Sequence, residues 1–257
     1  MKYTDIFSLE NKTILITGAS SGIGKGIAIA CAKSGAAVVG IGRDRNKLDA
    51  LGEELKRISD KEHYLVSCDV TDFAALPGLI SEAVARCGRI NGFVHSAGIA
   101  TNCPLKVSTD SIYKQTFDVN TISAFEISRL LSLKKNCGEN ASFVFVASVS
   151  ALKGEPGLIA YSASKGALIS GCRSLAAELA GKKIRVNCVV PGQITDTEIG
   201  KYQAETLDAD SYRKLAESHP LGLGKVENIV GPVVFLLSEA ASWITGSSLI
   251  VDGGYTL

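Results

Sequence analysis

At 257 residues, with 46% apolar and 21% charged side chains, the chain has the length and composition of one large α/β domain with a sizeable core. A net charge of +1, without a basic block or charged tail, gives no electrostatic reason to expect nucleic acid or a membrane surface as partner. The opening MKYTDIFSLENK lacks the apolar core of a signal peptide and the apolar runs are too short to cross a bilayer, so a cytoplasmic protein is expected.

In chain order, Lys12 to Thr17 is a β-branched run that reads as a central parallel strand. Gly18-Ala19-Ser20-Ser21-Gly22-Ile23-Gly24 follows at once, then a helix to about Ser34. A glycine-rich turn between strand and helix lets the backbone approach a pyrophosphate while the first N–H groups of the helix face it. Gly18, Ser20, Ser21, Gly22, Ile23 and Gly24 are therefore candidate dinucleotide contacts. The bland alternative is a tight turn that needs positive φ.

A second strand, Ala37 to Ile41, ends in Gly42-Arg43-Asp44 before a helix over Lys47 to Ile58. An acid just past this strand would accept from a ribose 2′-hydroxyl, whereas an arginine pairs with a 2′-phosphate. Gly42 followed by Arg43 favours NADP(H) over NAD(H), with Asp44 as the counter-argument. Tyr64 to Ser67 is the third strand. Asp69, followed by Val70, stands at the adenine end, either to accept from the adenine amino group or to cap a helix beginning near Asp72.

Asn91 to His95 gives a fourth strand, and Ser96, Ala97 and Gly98 are small enough to let a ligand pass close to the backbone. A helix near Asp110 to Lys134 contains Asn120, whose amide needs partners in apolar surroundings. The run Phe143 to Ala147 reads as a buried strand, and Ser148 stands at its carboxyl end. Tyr161 follows thirteen residues later and Lys165 four after that. Residues i and i+4 share a helix face, so an ammonium is expected beside a phenol of ordinary pKa about 10, drawing its proton exchange toward neutral pH. The strand Arg185 to Val190 ends at Pro191-Gly192, with Ile194, Thr195 and Thr197 beyond. Residues 197–219 form a helix-like insertion suited to a substrate lid, and Leu249 to Val251 is the last strand, followed by Asp252-Gly253-Gly254.

Strand and helix alternate throughout, without linker or repeat, which predicts a single α/β domain: a Rossmann-type doubly wound parallel sheet. The seven cysteines form no CxxC pair, and His63, His95 and His219 match no zinc spacing, so neither a disulfide framework nor a metal site is expected.

Together, TGASSGIG (17–24), SAG (96–98), Asn120, Ser148, YSASK (161–165), PG (191–192) and VDGG (251–254) resemble the short-chain dehydrogenase/reductases over nearly the whole chain. The resemblance implies a catalytic set of Asn120, Ser148, Tyr161 and Lys165. Ser148 would hold the substrate oxygen and Tyr161 would exchange its proton. Lys165 would lower the tyrosine pKa and bind the nicotinamide ribose, and Asn120 would hold a relay water. Pro191, Gly192 and Ile194 would position the nicotinamide, with Thr195 or Thr197 at its carboxamide. Two departures stand out: His95-Ser96 replaces the family's paired asparagines, and Asp196 stands where a carboxamide-binding threonine is usual. The overall look is closest to the 3-oxoacyl-[acyl-carrier-protein] reductase-like branch, which implies an acyl carrier protein or CoA thioester as substrate and a homotetramer or dimer. Lys134, Lys135, Lys182 and Lys183 are candidates for facing the carrier. An NAD-dependent alcohol, sugar or polyol dehydrogenase and a non-catalytic NADP(H)-sensing regulator are the alternatives.

Overall fold

The apolar runs become strands because both of their faces are covered. In β1 (Thr13–Thr17), Ile14 and Ile16 point into one core while Leu15 points into the other. β2 (Ala37–Gly42) repeats the split, with Val38 on one side and Val39 and Ile41 on the other. An uninterrupted apolar run is therefore compatible with the period of two that a strand imposes.

The computed structural model describes residues 3–257. The remaining strands are β3 (Tyr64–Ser67), β4 (Ile90–His95), β5 (Cys137–Val146), β6 (Arg185–Pro191) and β7 (Ser248–Val251). They form one seven-stranded sheet in the order β3-β2-β1-β4-β5-β6-β7, and every pairing is parallel. This is a single-domain Rossmann-like fold. Helices α1 (Gly22–Lys33), α2 (Arg45–Ile58) and α9 (Val226–Leu237) cover one face. The other is covered by α3 (Leu76–Cys87), α5 (Ser123–Leu131) and α6 (Ile159–Leu179), with α4 (Asp110–Phe117) packed against α6. On that side Phe93 meets Phe143 and Phe145 edge-on, with centroids 5.8 and 6.1 Å away, an arrangement that adds about 0.5–1.5 kcal/mol per pair beyond burial. Between β6 and α9 the insertion forms α7 (Glu198–Thr206) and α8 (Ala209–Glu217).

Two expectations are corrected. The helix over 110–134 is broken by a π-type turn, Asp118–Ile122, centred on Asn120, because the Asn120 amide is pulled across to Ile99 and Ser164. The helix expected near Asp72 starts at Leu76 with Pro at its first turn, and Asp72 instead accepts from Ala75 N in the preceding turn (3.1 Å). The strand order reverses direction between β1 and β4, and a parallel sheet opens a crevice at the carboxyl ends of its strands at such a point.

Candidate active site

That crevice is a cleft of about 450 Å³, running from Arg43 and Asp69 at one end to Glu155, His219 and Tyr255 at the other. At its start, Gly18 has φ +67°, and a Cβ there would sit 2.9 Å from Ala97 N. Only glycine allows the β1 and β4 exits to approach so closely. Helix α1 begins at Gly22, and its N-cap, Ser21, makes no side-chain cap hydrogen bond. Ser20, Ser21, Gly22, Ile23 and Gly24 line the cleft at this helix end, which therefore presents N–H groups and the positive end of the helix dipole to an anion. A pyrophosphate fits this cradle.

At the end expected to take the adenosine, Gly42 is buried, and a Cβ on it would come within 2.9 Å of the Ser20 hydroxyl. Arg43 is exposed and lines the cleft. Asp44 does not line it, because its Oδ1 caps α2 by accepting from Lys47 N at 3.0 Å. Asp69 and Val70 both line the cleft. The Asp69 carboxylate accepts from the N and Oγ1 of Thr71 (2.9 and 2.7 Å), which holds it below the usual carboxylate range. It caps no helix. Ser96, Ala97 and Gly98 form the wall opposite, with the N–H groups of Ser96 and Ala97 donating to Thr17 Oγ1 at 3.2 Å. His95 supplies the tie between strands expected of an asparagine: its Nδ1 lies 3.0 Å from Thr17 Oγ1.

Ser148 follows the end of β5, nearly buried. Its Oγ accepts from Ser150 N at 3.2 Å and lies 3.3 Å from Ser150 Oγ, the group that reaches the cleft wall. Tyr161 and Lys165 line the cleft from the first turns of α6. Lys165 is buried and donates to the Val146 carbonyl at 2.8 Å, and burial lowers its pKa to about 8. Its Nζ is 5.7 Å from the centre of the Tyr161 ring.

The expected depression of the Tyr161 pKa by Lys165 is not found. Burial pushes the phenol above its usual value, Ser148 pulls it the other way by a hydrogen bond, and the Glu155 carboxylate adds to the rise. Burial of the phenol is the largest cause of the rise, and the Lys165 ammonium donates to the Val146 carbonyl. Asn120, fully buried, accepts from Ile99 N (2.8 Å) and donates to Ile99 O (3.0 Å) and Ser164 Oγ (2.9 Å). Its amide is thus spent on clamping the β4 exit to α6. It meets Lys165 across Gly98, where a Cβ would lie 3.3 Å from Lys165 Nζ and 3.5 Å from Asn120 Oδ1.

Pro191, the last residue of β6, and Gly192 and Ile194 just beyond it line the cleft. Thr195 does not: its N and Oγ1 are both tied to Gly224 O. Thr197 does, 3.0 Å from Ile194 O and from Gly200 N. Asp196, the departure from the family pattern, accepts from Val226 N at the start of α9 (2.9 Å).

Sequence reasoning missed Ser150, Glu155, Gln193, His219 and Tyr255, all of them on the cleft wall. VDGG carried a usable signal for the last. Asp252 accepts from Gly254 N and from the N and Oγ1 of Thr256, and Gly253 and Gly254 take φ +63° and +89°. This turn swings Tyr255 back over the cleft. The insertion adds Ile199, Leu207 and Leu215 to the wall, and an ion pair from Lys47 to Glu198 (2.7 Å) ties it to α2.

Among the described residues, no cluster of His, Cys, Asp or Glu is placed to hold a metal, every cysteine is free, and no helix is long and apolar enough to cross a membrane.

The comparisons with known proteins agree with this architecture. A family model described as enoyl-(acyl carrier protein) reductase matches residues 18–256. The chain is 35% identical to a 2-dehydro-3-deoxy-D-gluconate 5-dehydrogenase of Pseudoalteromonas atlantica, covering 97% of each chain. It is 33% identical to the 3-oxoacyl-[acyl-carrier-protein] reductase FabG of Thermotoga maritima, over 97% of this chain and 99% of that one. Among solved structures, a 7α-hydroxysteroid dehydrogenase complexed with NADH and 7-oxo glycochenodeoxycholic acid superposes with a TM-score of 0.91 at 30% identity, covering 99% of this chain and 98% of that chain. With a glycine cradle, Tyr161 and Lys165 on the cleft wall, and likeness along its whole length, the chain belongs to the short-chain dehydrogenase/reductases, NAD(P)-dependent enzymes that act on alcohol and carbonyl groups.

Proposed function

We propose that this protein is an NADP(H)-dependent oxidoreductase that interconverts a small ketone and its secondary alcohol, with Ser148, Tyr161 and Lys165 as the reacting machinery. The observation that carries the reading is one continuous cleft joining the uncapped end of α1, through Lys165, to the Tyr161 phenol. A nicotinamide dinucleotide, when bound, supplies the hydride acceptor or donor. Gly18, Ser20, Ser21, Gly22, Ile23 and Gly24 would hold its pyrophosphate, and Asp69 and Val70 its adenine. Ser96 to Gly98 would flank it, and Pro191, Gly192, Ile194 and Thr197 would fix the nicotinamide end. The preference for NADP(H) rests on Arg43 at the rim, on a glycine at position 42, and on Asp44 being occupied as a helix cap.

In the reductive direction the Tyr161 hydroxyl donates its proton to the oxygen that becomes the alcohol, and Ser148 Oγ–H holds that oxygen in place. A phenol raised above its ordinary pKa arrives loaded with its proton, which suits reduction. Oxidation needs the phenolate, so the Ser148 hydrogen bond and the Lys165 charge must then outweigh burial.

A 3-oxoacyl thioester stays a second reading, supported by the likeness to FabG. The lysines expected to dock a carrier argue against a carrier-bound one. Lys134 and Lys135 precede β5, and Lys182 and Lys183 precede β6, so they stand at the amino edge of the sheet, opposite the cleft. At about 3.3 Å per residue, the length of β6 alone puts more than 20 Å between them. A homotetramer or dimer belongs to the same proposal, supported by exposed Ile122, Leu152 and Ile159 near α5 and α6 and by exposed Trp243, Leu249, Ile250 and Leu257 toward the C-terminus.

The test is Tyr161→Phe, assayed by NADPH oxidation over a panel of ketones and acetoacetyl-CoA. We expect kcat/KM to fall by about a thousandfold, within the range for loss of a general acid, with the NADPH Kd unchanged. Unchanged turnover would overturn the mechanism. NADPH binding without turnover of any panel member by the unmutated protein would favour the sensor reading.

A further inference from the structure

The far end of the cleft carries an unbalanced carboxylate. Of the charged residues that line it, Arg43 and Asp69 belong to the adenosine end, Lys165 is held at Val146, and Glu198 is paired with Lys47. That leaves Glu155, on the loop between β5 and α6. No Lys or Arg other than Arg43 and Lys165 lines the cleft among the described residues.

Glu155 is held by the C-terminal turn. Tyr255 Oη–H donates to its Oε1 at 3.4 Å. The Tyr255 ring is fixed in turn between two partners: the His219 ring stacks on it at 4.5 Å, and Lys153 Nζ lies 3.9 Å from its centre. Lys153 does not line the cleft; it lines a shallow depression beside Leu257. His219 accepts from Gln193 N through Nε2 (3.3 Å), while its Nδ1 lies 2.8 Å from Leu215 O, which fixes the ring from both sides. The second Glu155 oxygen has no protein partner among the described residues. The carboxylate is near enough to Tyr161 for its charge to be felt there. Leu158, Leu207 and Leu215 supply apolar surface to the same cleft.

Resting on the reading of this cleft as a carbonyl-reducing site, we infer that Glu155 is a specificity-determining residue that selects neutral substrates bearing a hydroxyl a few carbons from the reacting carbonyl, and rejects carboxylates. A carboxylate is an acceptor only: it takes a hydrogen bond from a substrate hydroxyl, and among the described residues no Lys or Arg lines this part of the cleft except Lys165, which is held at Val146, while Lys153 lies outside the wall. Tyr255 and His219 keep it aimed, and the leucines take the hydrocarbon side of the molecule. Hydroxyketones, and the diols they become, match this combination.

The test compares kcat/KM for 2-pentanone, its hydroxyl-bearing derivatives substituted at C3, C4 or C5, and 4-oxopentanoate, with unmutated protein, Glu155→Leu and Glu155→Gln. The NADPH Kd of each variant checks that it is folded. We expect the best hydroxyketone to exceed both 2-pentanone and 4-oxopentanoate by about tenfold or more, as a hydrogen bond to a charged group allows. Glu155→Leu should bring the hydroxyketone down to parity with 2-pentanone. Glu155→Gln, which keeps an acceptor but drops the charge, should retain most of the hydroxyl preference and admit 4-oxopentanoate about tenfold better. A preference for 4-oxopentanoate in the unmutated protein, or ratios that neither substitution moves, would overturn the inference while leaving carbonyl reduction intact. Failure of every ketone here and in the wider panel, with NADPH bound, would overturn carbonyl reduction itself and the inference with it.

Discussion

At the adenosine end of the cleft the walls are main chain and small residues: Gly18, Gly22 and Gly24 around the first turn of α1, and Ser96 to Gly98 opposite. At the substrate end they are side chains from separate segments: Ser150 and Glu155 after β5, Leu207, Leu215 and His219 from the insertion, and Tyr255 from the C-terminal turn. A dinucleotide is a constant ligand, and a backbone cradle fixed by the sheet can hold it with little dependence on side-chain choice. A variable substrate calls for variable side chains on loops, carried by a frame that does not move with them. Tyr161 and Lys165 stand where the two constructions meet, and substitutions there probe both.

The largest effect is expected from Lys165→Met. Catalysis should fall by about a thousandfold, since Lys165 is, with Arg43, one of two Lys or Arg side chains lining the cleft among the described residues and the one on the same helix as Tyr161. Stability should move the other way. A lysine whose pKa drops from 10.5 to about 8 on folding costs the folded state about 3 kcal/mol at neutral pH. The cost is complete below pH 8 and fades as pH rises toward 10.5, where the unfolded lysine is losing its proton too. Giving up the Val146 hydrogen bond costs about 1 kcal/mol, so Lys165→Met should be more stable by about 2 kcal/mol at pH 7. Urea unfolding at pH 7 and pH 10 measures the difference. A variant that is less stable at pH 7 would show that the buried charge is not a burden on the fold.

The same division explains what could be read from the sequence. The sheet was legible because β1, β2, β4 and β6 are apolar on both faces and separated by helical segments; their ends shifted by only a residue or so, as with Thr13 for Lys12 and Gly42 for Ile41, whereas β5 starts at Cys137, six residues before the expected Phe143, because its first residues are not an apolar run. The glycine cradle, Tyr161 and Lys165 were legible because each is set by local spacing. The π-type turn at Asn120 was not, since it depends on Ile99 and Ser164, which are distant in sequence. Nor was the choice of Thr197 over Thr195, which Gly224 decides. Glu155 reads as an ordinary loop acid until Tyr255, a hundred residues later, is placed against it.

Arg43→Ala tests whether one side chain at the otherwise main-chain end decides between cofactors. It should raise the KM for NADPH by about tenfold or more, the value of a charge-assisted hydrogen bond to phosphate, and leave the KM for NADH within about twofold. Equal effects on both would remove the 2′-phosphate from the argument and move the preference to Ser20 and Gly42. Restoring a side chain at Gly42 is not a clean alternative, because it would press on the Ser20 hydroxyl.

The smallest expected effect concerns His95, which joins the two constructions from below. Its Nδ1 side meets Thr17 beneath the cradle, and its Nε2, which makes no well-aligned hydrogen bond, looks toward the backbone of Val119 and Asn120. Burial, with the Lys165 charge adding to it, lowers its pKa from 6.5 to about 3, so the folded protein holds it neutral. The unfolded chain takes up a proton below pH 6.5 that the folded chain refuses until about pH 3, and stability therefore falls with acidification through that window. The contribution lost between pH 6.5 and 5.5 is about 1 kcal/mol. His95→Gln keeps a group that can bond to Thr17 and should remove that part of the slope, measured as the difference between variant and unmutated protein so that His63 and His219 cancel. Parallel pH profiles for the two proteins would mean that His95 is protonated inside the fold. The contact with Thr17 would then have to run from the imidazolium Nδ1–H to the Thr17 oxygen, which already accepts from the N–H groups of Ser96 and Ala97.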